Sequence, residues 1–303
     1  MGLLYAGLDG GGTKTAVRLM DKFDRERASF TAPGINYTGV SPAVVEAALD
    51  GIFLKLRLLC EGDTLAAVCI CAAGVSGPGV PERLQVAVRR SGYTGPLRIE
   101  GDHVGALAGA LGTSSGAILL AGTGSICYGR IFRNGRLEER RTGGWGHIMG
   151  DEGSGYAIGQ AILRAVARSA DGREPPTCLI PLVHEALGTD SMSGILARAY
   201  AGKGKQEIAA LAPLLDQAYA REDAAALAIA REAAEELALL TVPVVERLGL
   251  STDRMALSGS ILEKCACVRG QTLQCLAARF PSLACVSPKA DAAAGAALLA
   301  MEL

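Results

Sequence analysis

Short apolar runs punctuated by glycine-rich turns fill the first half of the chain, and long stretches with apolar residues at helical spacing fill the second. Residues 3–7 and 16–20 are apolar runs of strand length on either side of Gly10-Gly11-Gly12-Thr13-Lys14. That predicts a hairpin whose turn uses positive φ and bare backbone. A third strand leads into the loop Gly34-Ile35-Asn36-Tyr37. Residues 42–59 place Val44, Val45, Ala48, Ile52, Leu56 and Leu59 on one face of an amphipathic helix. Residues 65–73 have the length and apolarity of a buried strand, 82–91 read as a helix, and 97–100 as a short strand. The last of these delivers Gly101-Asp102-His103 to a helix over 104–111.

The pattern then repeats. A buried strand over 116–121 meets a second small-residue turn, Gly122-Thr123-Gly124-Ser125, followed by a strand over 126–132. Asn134-Gly135 is a type I′ hairpin signal, and a further strand covers 136–141. Strand, small-residue turn, strand, tight turn and strand thus occur twice, roughly 110 residues apart, which predicts two similar domains, each offering one turn to the same polyphosphate. Residues 142–155 hold many glycines around the only Trp and cannot form a regular element, so an ordered loop is expected, with Asp151 and Glu152 opening a helix to about 168. Residues 177–249 are almost continuously helical in pattern and read as an insertion with no visible chemistry. A short strand over 255–257, a helix from 261, a strand over 283–286 and a small-residue helix over 291–301 complete the chain.

Composition narrows the function classes. A chain of 303 residues, half of them hydrophobic, favours two domains with a cleft between them. Its 30 basic and 31 acidic side chains leave a net charge of −1 and no electrostatic case for nucleic acid or an anionic membrane as partner. Charges or glycines interrupt every apolar run before it reaches membrane-spanning length. The first residues enter a strand without a basic, cleavable leader, so a cytoplasmic location is expected. The nine cysteines are scattered in apolar runs with no CxxC pair and no Cys/His cluster of zinc spacing, as for buried reduced thiols.

The candidate chemistry sits at the turns. Backbone amides of Gly11 and Gly12, with the Thr13 hydroxyl and the Lys14 cation, suit a phosphate, and Asp9 at the strand end suits a hydrated metal. A ligand-free glycine hairpin satisfies the same residues, and the stretch is neither a P-loop nor GxGxxG. Asp102 reads either as a helix N-cap or as a carboxylate that accepts a proton from a substrate hydroxyl. The loop around Trp145 reads either as a core plug or as a sugar or nucleotide pocket. Gly259-Ser260 could let a flat ring or ribose lie against backbone, or could be an ordinary strand-to-helix turn.

Together these stretches resemble the BadF/BadG/BcrA/BcrD ATPase family of the actin-like/sugar kinase/Hsp70 superfamily, and within it the N-acetylglucosamine kinases. The resemblance is carried by Gly7-Leu8-Asp9-Gly10-Gly11-Gly12-Thr13-Lys14, Asp102, Ala121-Gly122-Thr123-Gly124-Ser125, residues 143–154 and Gly259-Ser260. It implies an α/β fold of two RNase H-like domains facing a central cleft. They would span residues 1–113, with the helix over 290–303 packing back on the first domain, and 114–289, with a helical insertion in the second over about 177–249. It further implies ATP-dependent phosphorylation of an amino-sugar 6-hydroxyl, with Mg²⁺ near Asp9 through water and a homodimeric assembly. Asp102 would be the general base. Asn36, Ser125, Gly144, Trp145 and Asp151 would meet the sugar. Gly11, Gly12, Thr13, Lys14, Gly122, Thr123, Gly124, Gly259 and Ser260 would meet the nucleotide. Ile126 replaces a sugar-contacting Asn of the mammalian type, which leaves the choice among N-acetylglucosamine, N-acetylmuramic acid and glucosamine open. Iron–sulfur activators of 2-hydroxyacyl-CoA dehydratases, for which Cys127 and Cys265 could be nominated as cluster ligands, and non-catalytic sugar sensors are the competing readings.

Overall fold

The computed structural model describes residues 2–37, 40–201 and 204–303, in two compact units. Met1 and, within the predicted helical insertion, Gly202 and Lys203 lie outside the described residues. The first unit comprises Met1–Gly116 and Pro288–Leu303, and the second Ala117–Ser287.

In the first unit, β1 (Leu3–Gly10), β2 (Lys14–Asp21) and β3 (Glu26–Pro33) form an antiparallel meander. The helix α1 (Pro42–Cys60) follows, with Pro42 in its first turn, where a missing N–H removes no helical bond. β4 (Thr64–Ala72) then pairs parallel with β1. α2 (Val80–Arg90) returns the chain to β5 (Leu97–Gly101), parallel to β4, and α3 (Asp102–Leu111) leaves from its end. The sheet order is β3-β2-β1-β4-β5. One face is covered by the buried side of α1, including Val45, Leu49, Ile52, Phe53 and Leu56. The other is covered by α3 and the C-terminal helix Ala292–Ala300. Small residues set the approach on that second face. A Cβ at Gly7 would lie 2.1 Å from both the Ala293 carbonyl oxygen and the Ala297 nitrogen, so only bare backbone lets the helix seat on β1. Asp291 caps this helix by accepting the Ala294 N–H at 2.9 Å and pairs with Arg18 of β2.

The second unit repeats the sheet. β6 (Gly116–Ala121), β7 (Ser125–Arg133) and β8 (Arg136–Gly143) are followed by α4 (Gly155–Ala170). Asn134 and Gly135 both adopt positive φ, 53° and 73°, as a type I′ turn between β7 and β8 requires. The helical region comprises α5 (Leu179–Leu187), α6 (Met192–Tyr200), α7 (Lys205–Ala209), α8 (Leu214–Tyr219) and α9 (Ala224–Leu248). β9 (Arg254–Ser258), α10 (Ser260–Lys264), α11 (Ala266–Arg279) and β10 (Ala284–Val286) close the unit, and the C-terminal helix is α12. Read from the other edge, the sheet order β8-β7-β6-β9-β10 has the connectivity of the first sheet. The repeated pattern in the sequence is therefore a repeated α/β topology. α9 forms the spine of the larger core, burying Ile229, Ala233, Leu237, Val244 and Val245 among residues of α4, α8 and the sheet.

Candidate active site

The first turn is built as its residues dictate. Gly11 N–H donates to the Lys14 carbonyl at 3.0 Å, closing the link between β1 and β2. Gly12, Thr13 and Lys14 are exposed, and among the described residues the Gly12 and Thr13 amides have no intrachain acceptor. Amides without an internal acceptor at an exposed turn are free to meet an anion. The loop carrying half-buried Asn36 is pressed against this turn, since a Cβ on Gly34 would lie 2.4 Å from the Gly12 carbonyl oxygen. The Thr15 hydroxyl fixes the end of β3 by donating to the Pro33 carbonyl at 2.8 Å.

Two carboxylates stand at strand ends beside this turn. Burial pushes Asp9 up to about 6, and the charges of Asp102 and Asp291 add to the effect while Lys14 opposes it. Asp102 behaves oppositely. Burial raises its pKa, but the hydrogen bonds and charge of His103 outweigh this and hold it below the ordinary carboxylate value. Its Oδ1 accepts the His103 N–H at 2.9 Å and lies 3.4 Å from His103 Nδ1. Its side chain is 52% exposed. The N-cap of α3 is Gly101, not Asp102, which is the first helical residue and leaves its outer oxygen clear of the capping role.

In the second unit, Gly122 N–H donates to the Gly124 carbonyl at 2.9 Å, and the Gly122 carbonyl accepts the Gly155 N–H at 2.7 Å. The second turn is thus tied to the start of α4. The predicted helix start at Asp151 is corrected: α4 begins at Gly155, with Ser154 as N-cap accepting the Ala157 N–H at 3.3 Å. Asp151 has φ of 66°, which ends any helical path through it. It is buried. Its Oδ1 accepts the Ser125 N–H at 3.2 Å and its Oδ2 the Lys205 ammonium at 3.3 Å, while Ser125 Oγ donates to the Glu152 carbonyl at 2.6 Å. Gly124 permits this arrangement, because a Cβ there would lie 2.7 Å from Asp151 Oδ1. Gly144 N–H donates to the Ser125 carbonyl at 2.9 Å, and its bare Cα faces the Ile126 side chain. Trp145 does not plug the core. It is exposed, with the Arg141 guanidinium 4.4 Å from its ring centre. Gly122 and Thr123 share a cavity of about 520 Å³ with Ser260, Lys264 and Asp216. Gly259, at φ 96°, packs against Ala121 so closely that a Cβ would lie 2.5 Å from its carbonyl oxygen.

The structure thus brings Asp9, the first turn and Asp102 together in one unit, and Gly122, Thr123 and Ser260 together in the other. Lys205 and Asp216 come from the insertion, whose sequence carries no chemical motif. Their only local signal is a charge within a helical pattern, and the partner of each is about 50 residues away.

The sequence model of the BadF/BadG/BcrA/BcrD ATPase family matches residues 6–300. The chain belongs to that family. Members with named activities are similar along nearly the whole length. The N-acetylmuramic acid/N-acetylglucosamine kinase of Clostridium acetobutylicum is 31% identical over 299 residues, 97% of each chain. The N-acetyl-D-glucosamine kinase of Dictyostelium discoideum is 30% identical over 316 residues, 98% of each chain. Among solved structures, a candidate N-acetylglucosamine kinase from Chromobacterium violaceum shares 26% identity with a TM-score of 0.73 over 98% of each chain. The fold extends to a glucokinase of the ROK family from Streptomyces griseus, at 19% identity and a TM-score of 0.57. The named relatives are amino-sugar kinases, which leaves the iron–sulfur activator reading the less supported one.

Proposed function

We propose that the protein is an ATP-dependent amino-sugar kinase that phosphorylates the 6-hydroxyl of N-acetylglucosamine or a close relative such as N-acetylmuramic acid or glucosamine. The observation that carries this reading is Asp102, an ionised, half-exposed carboxylate in a chain 31% identical, over 97% of its length, to a kinase of that substrate class. Asp102 accepts the proton of the sugar hydroxyl as its oxygen attacks the γ-phosphorus. The bond from that phosphorus to the bridging oxygen breaks, and ADP leaves. A positioned base of this kind contributes roughly 10²- to 10⁴-fold.

The remaining roles follow the chemistry of each group. Gly11, Gly12, Thr13 and Lys14 are assigned to the phosphates, and Gly122, Thr123, Gly124, Gly259 and Ser260 to the nucleotide. Mg²⁺ fits Asp9, a carboxylate raised by burial and two like charges against a single lysine, which a hydrated divalent cation would compensate. When bound, the ion supplies neutralisation of phosphoryl charge. Asn36, Gly144, Trp145, Ser125 and Asp151 are assigned to the sugar, with the Lys205 ammonium holding Asp151 Oδ2 in place. A cytoplasmic homodimer completes the proposal.

The test is ADP release from ATP and Mg²⁺ across N-acetylglucosamine, N-acetylmuramic acid, glucosamine, N-acetylmannosamine and glucose. Turnover dependent on one amino sugar is expected. Slow ATP hydrolysis indifferent to the sugar would overturn the reading.

A further inference from the structure

One ligand cluster lies in the wall of the cavity that Gly122, Thr123 and Ser260 line, on residues given no role above. Asp216 of α8, Cys265 and Cys267 bring a carboxylate oxygen and two sulfurs within 4.8 Å of one another. The sulfurs are 3.7 Å apart, and both cysteines are buried. Asp216 is already fixed in place: its Oδ2 accepts the Ala266 N–H and its Oδ1 the Cys267 N–H, each at 2.9 Å. The carboxylate thereby binds the start of α11 to the helical insertion, with Cys265 as the N-cap residue of that helix.

The spacing carries chemical information. Two thiolates on one tetrahedral zinc, with Zn–S of about 2.3 Å, stand about 3.8 Å apart, whereas a disulfide requires about 2.05 Å. The observed separation accommodates a metal-bound pair without movement; Cys69 and Cys71 lie 3.8 Å apart as well, and the Asp216 oxygen is what sets this cluster apart. The start of α11 also favours an anionic Cys265 sulfur, which stands at the helix N-cap and receives the Val268 amide. Two sulfurs and one oxygen select a thiophilic ion over Mg²⁺, which takes oxygen ligands. Asp216 and Cys265 also line the cavity of about 520 Å³, which gives the ion an entry path and a solvent-reached fourth position.

We propose that Asp216, Cys265 and Cys267 form a three-ligand site for a thiophilic divalent cation, Zn²⁺ foremost, with its fourth position open to the cavity. The site stands independently of the kinase reading, and its test requires no turnover.

Full-length protein, reduced with a phosphine and stripped of metal, is titrated with Co²⁺. One equivalent is expected to bind with a sulfur-to-cobalt charge-transfer band and tetrahedral d–d absorption, and Zn²⁺ should displace it. The C265S/C267S double variant should lose both features. Asp216→Asn, which keeps an oxygen for the helix cap, should weaken binding on the order of tenfold. A second measurement on unmutated protein guards against a variant that fails to fold. Zn²⁺ should protect Cys265 and Cys267 from alkylation, mapped by peptide mass, and leave the other seven cysteines unchanged. Absence of the charge-transfer band in the unmutated protein, its persistence in a folded double variant, or lack of selective protection would overturn the proposal.

Discussion

Asp9→Asn should make the protein more stable while removing its activity. The carboxyl is pushed from 3.8 up to about 6 by burial and by Asp102 and Asp291. That gap corresponds to about 3 kcal/mol at about 1.36 kcal/mol per pKa unit. Solvent reaches part of the side chain, so about 2 kcal/mol is the working figure. A raised folded-state pKa means that the folded chain holds its proton longer than the unfolded chain. The stabilising contribution is complete below 3.8 and is lost as pH rises through about 6. Asparagine mimics the protonated form at every pH. The variant should therefore match the parent near the low end of that window and exceed it above the upper end, by several degrees in Tm. The assay is a melting series in EDTA from acidic to mildly alkaline pH. Adding Mg²⁺ with ADP should raise the parent's Tm more than the variant's. A stability difference that ignores pH, or a variant less stable than the parent at neutral pH, would refute the electrostatic reasoning.

Three further outcomes follow from distances in the structure. Lys205→Met strips buried Asp151 of its ammonium partner at 3.3 Å. It should cost about 1–3 kcal/mol in chemical denaturation and raise the sugar KM more than the nucleotide KM. Gly124→Ala places a Cβ 2.7 Å from Asp151 Oδ1, which is held by Ser125 and Lys205 and cannot swing away without losing both bonds. A fall in kcat/KM on the order of tenfold, with an unchanged far-ultraviolet circular dichroism spectrum, is expected. Gly7→Ala drives a methyl group into the backbone of α12 at 2.1 Å and should destabilise the first unit by about 3 kcal/mol or more, read as early protection loss in amide exchange of both β1 and α12.

Local chemistry made most of the architecture legible before any coordinates. Consecutive glycines, Asn134-Gly135 and the alternation between strand and helix periods are encoded within a few residues. They located β6 without error and most other elements within two or three residues. The duplicated strand–turn–strand pattern revealed the two matching sheets. Asp102 was legible as a strand-end carboxylate, although Gly101 takes the cap position. Positions decided by long-range pairing were not legible. The left-handed backbone of Asp151, which delays α4 until Gly155, depends on Ser125 and Lys205 rather than on its neighbours in sequence. Trp145 reads as apolar, but Arg141 receives its ring face at the surface. Cys265 and Cys267 read as core thiols because Asp216, the third member of their cluster, comes from α8 within the insertion, 50 residues before Ala266.

The most direct measurement on the central claim is single-turnover phosphoryl transfer by Asp102→Asn, alongside calorimetric binding of sugar and nucleotide. With Asp102 as proton acceptor, transfer falls roughly 10²- to 10⁴-fold while both affinities and the circular dichroism spectrum stay close to those of the parent. A variant that binds both substrates and still transfers phosphate at the parent's rate would contradict it.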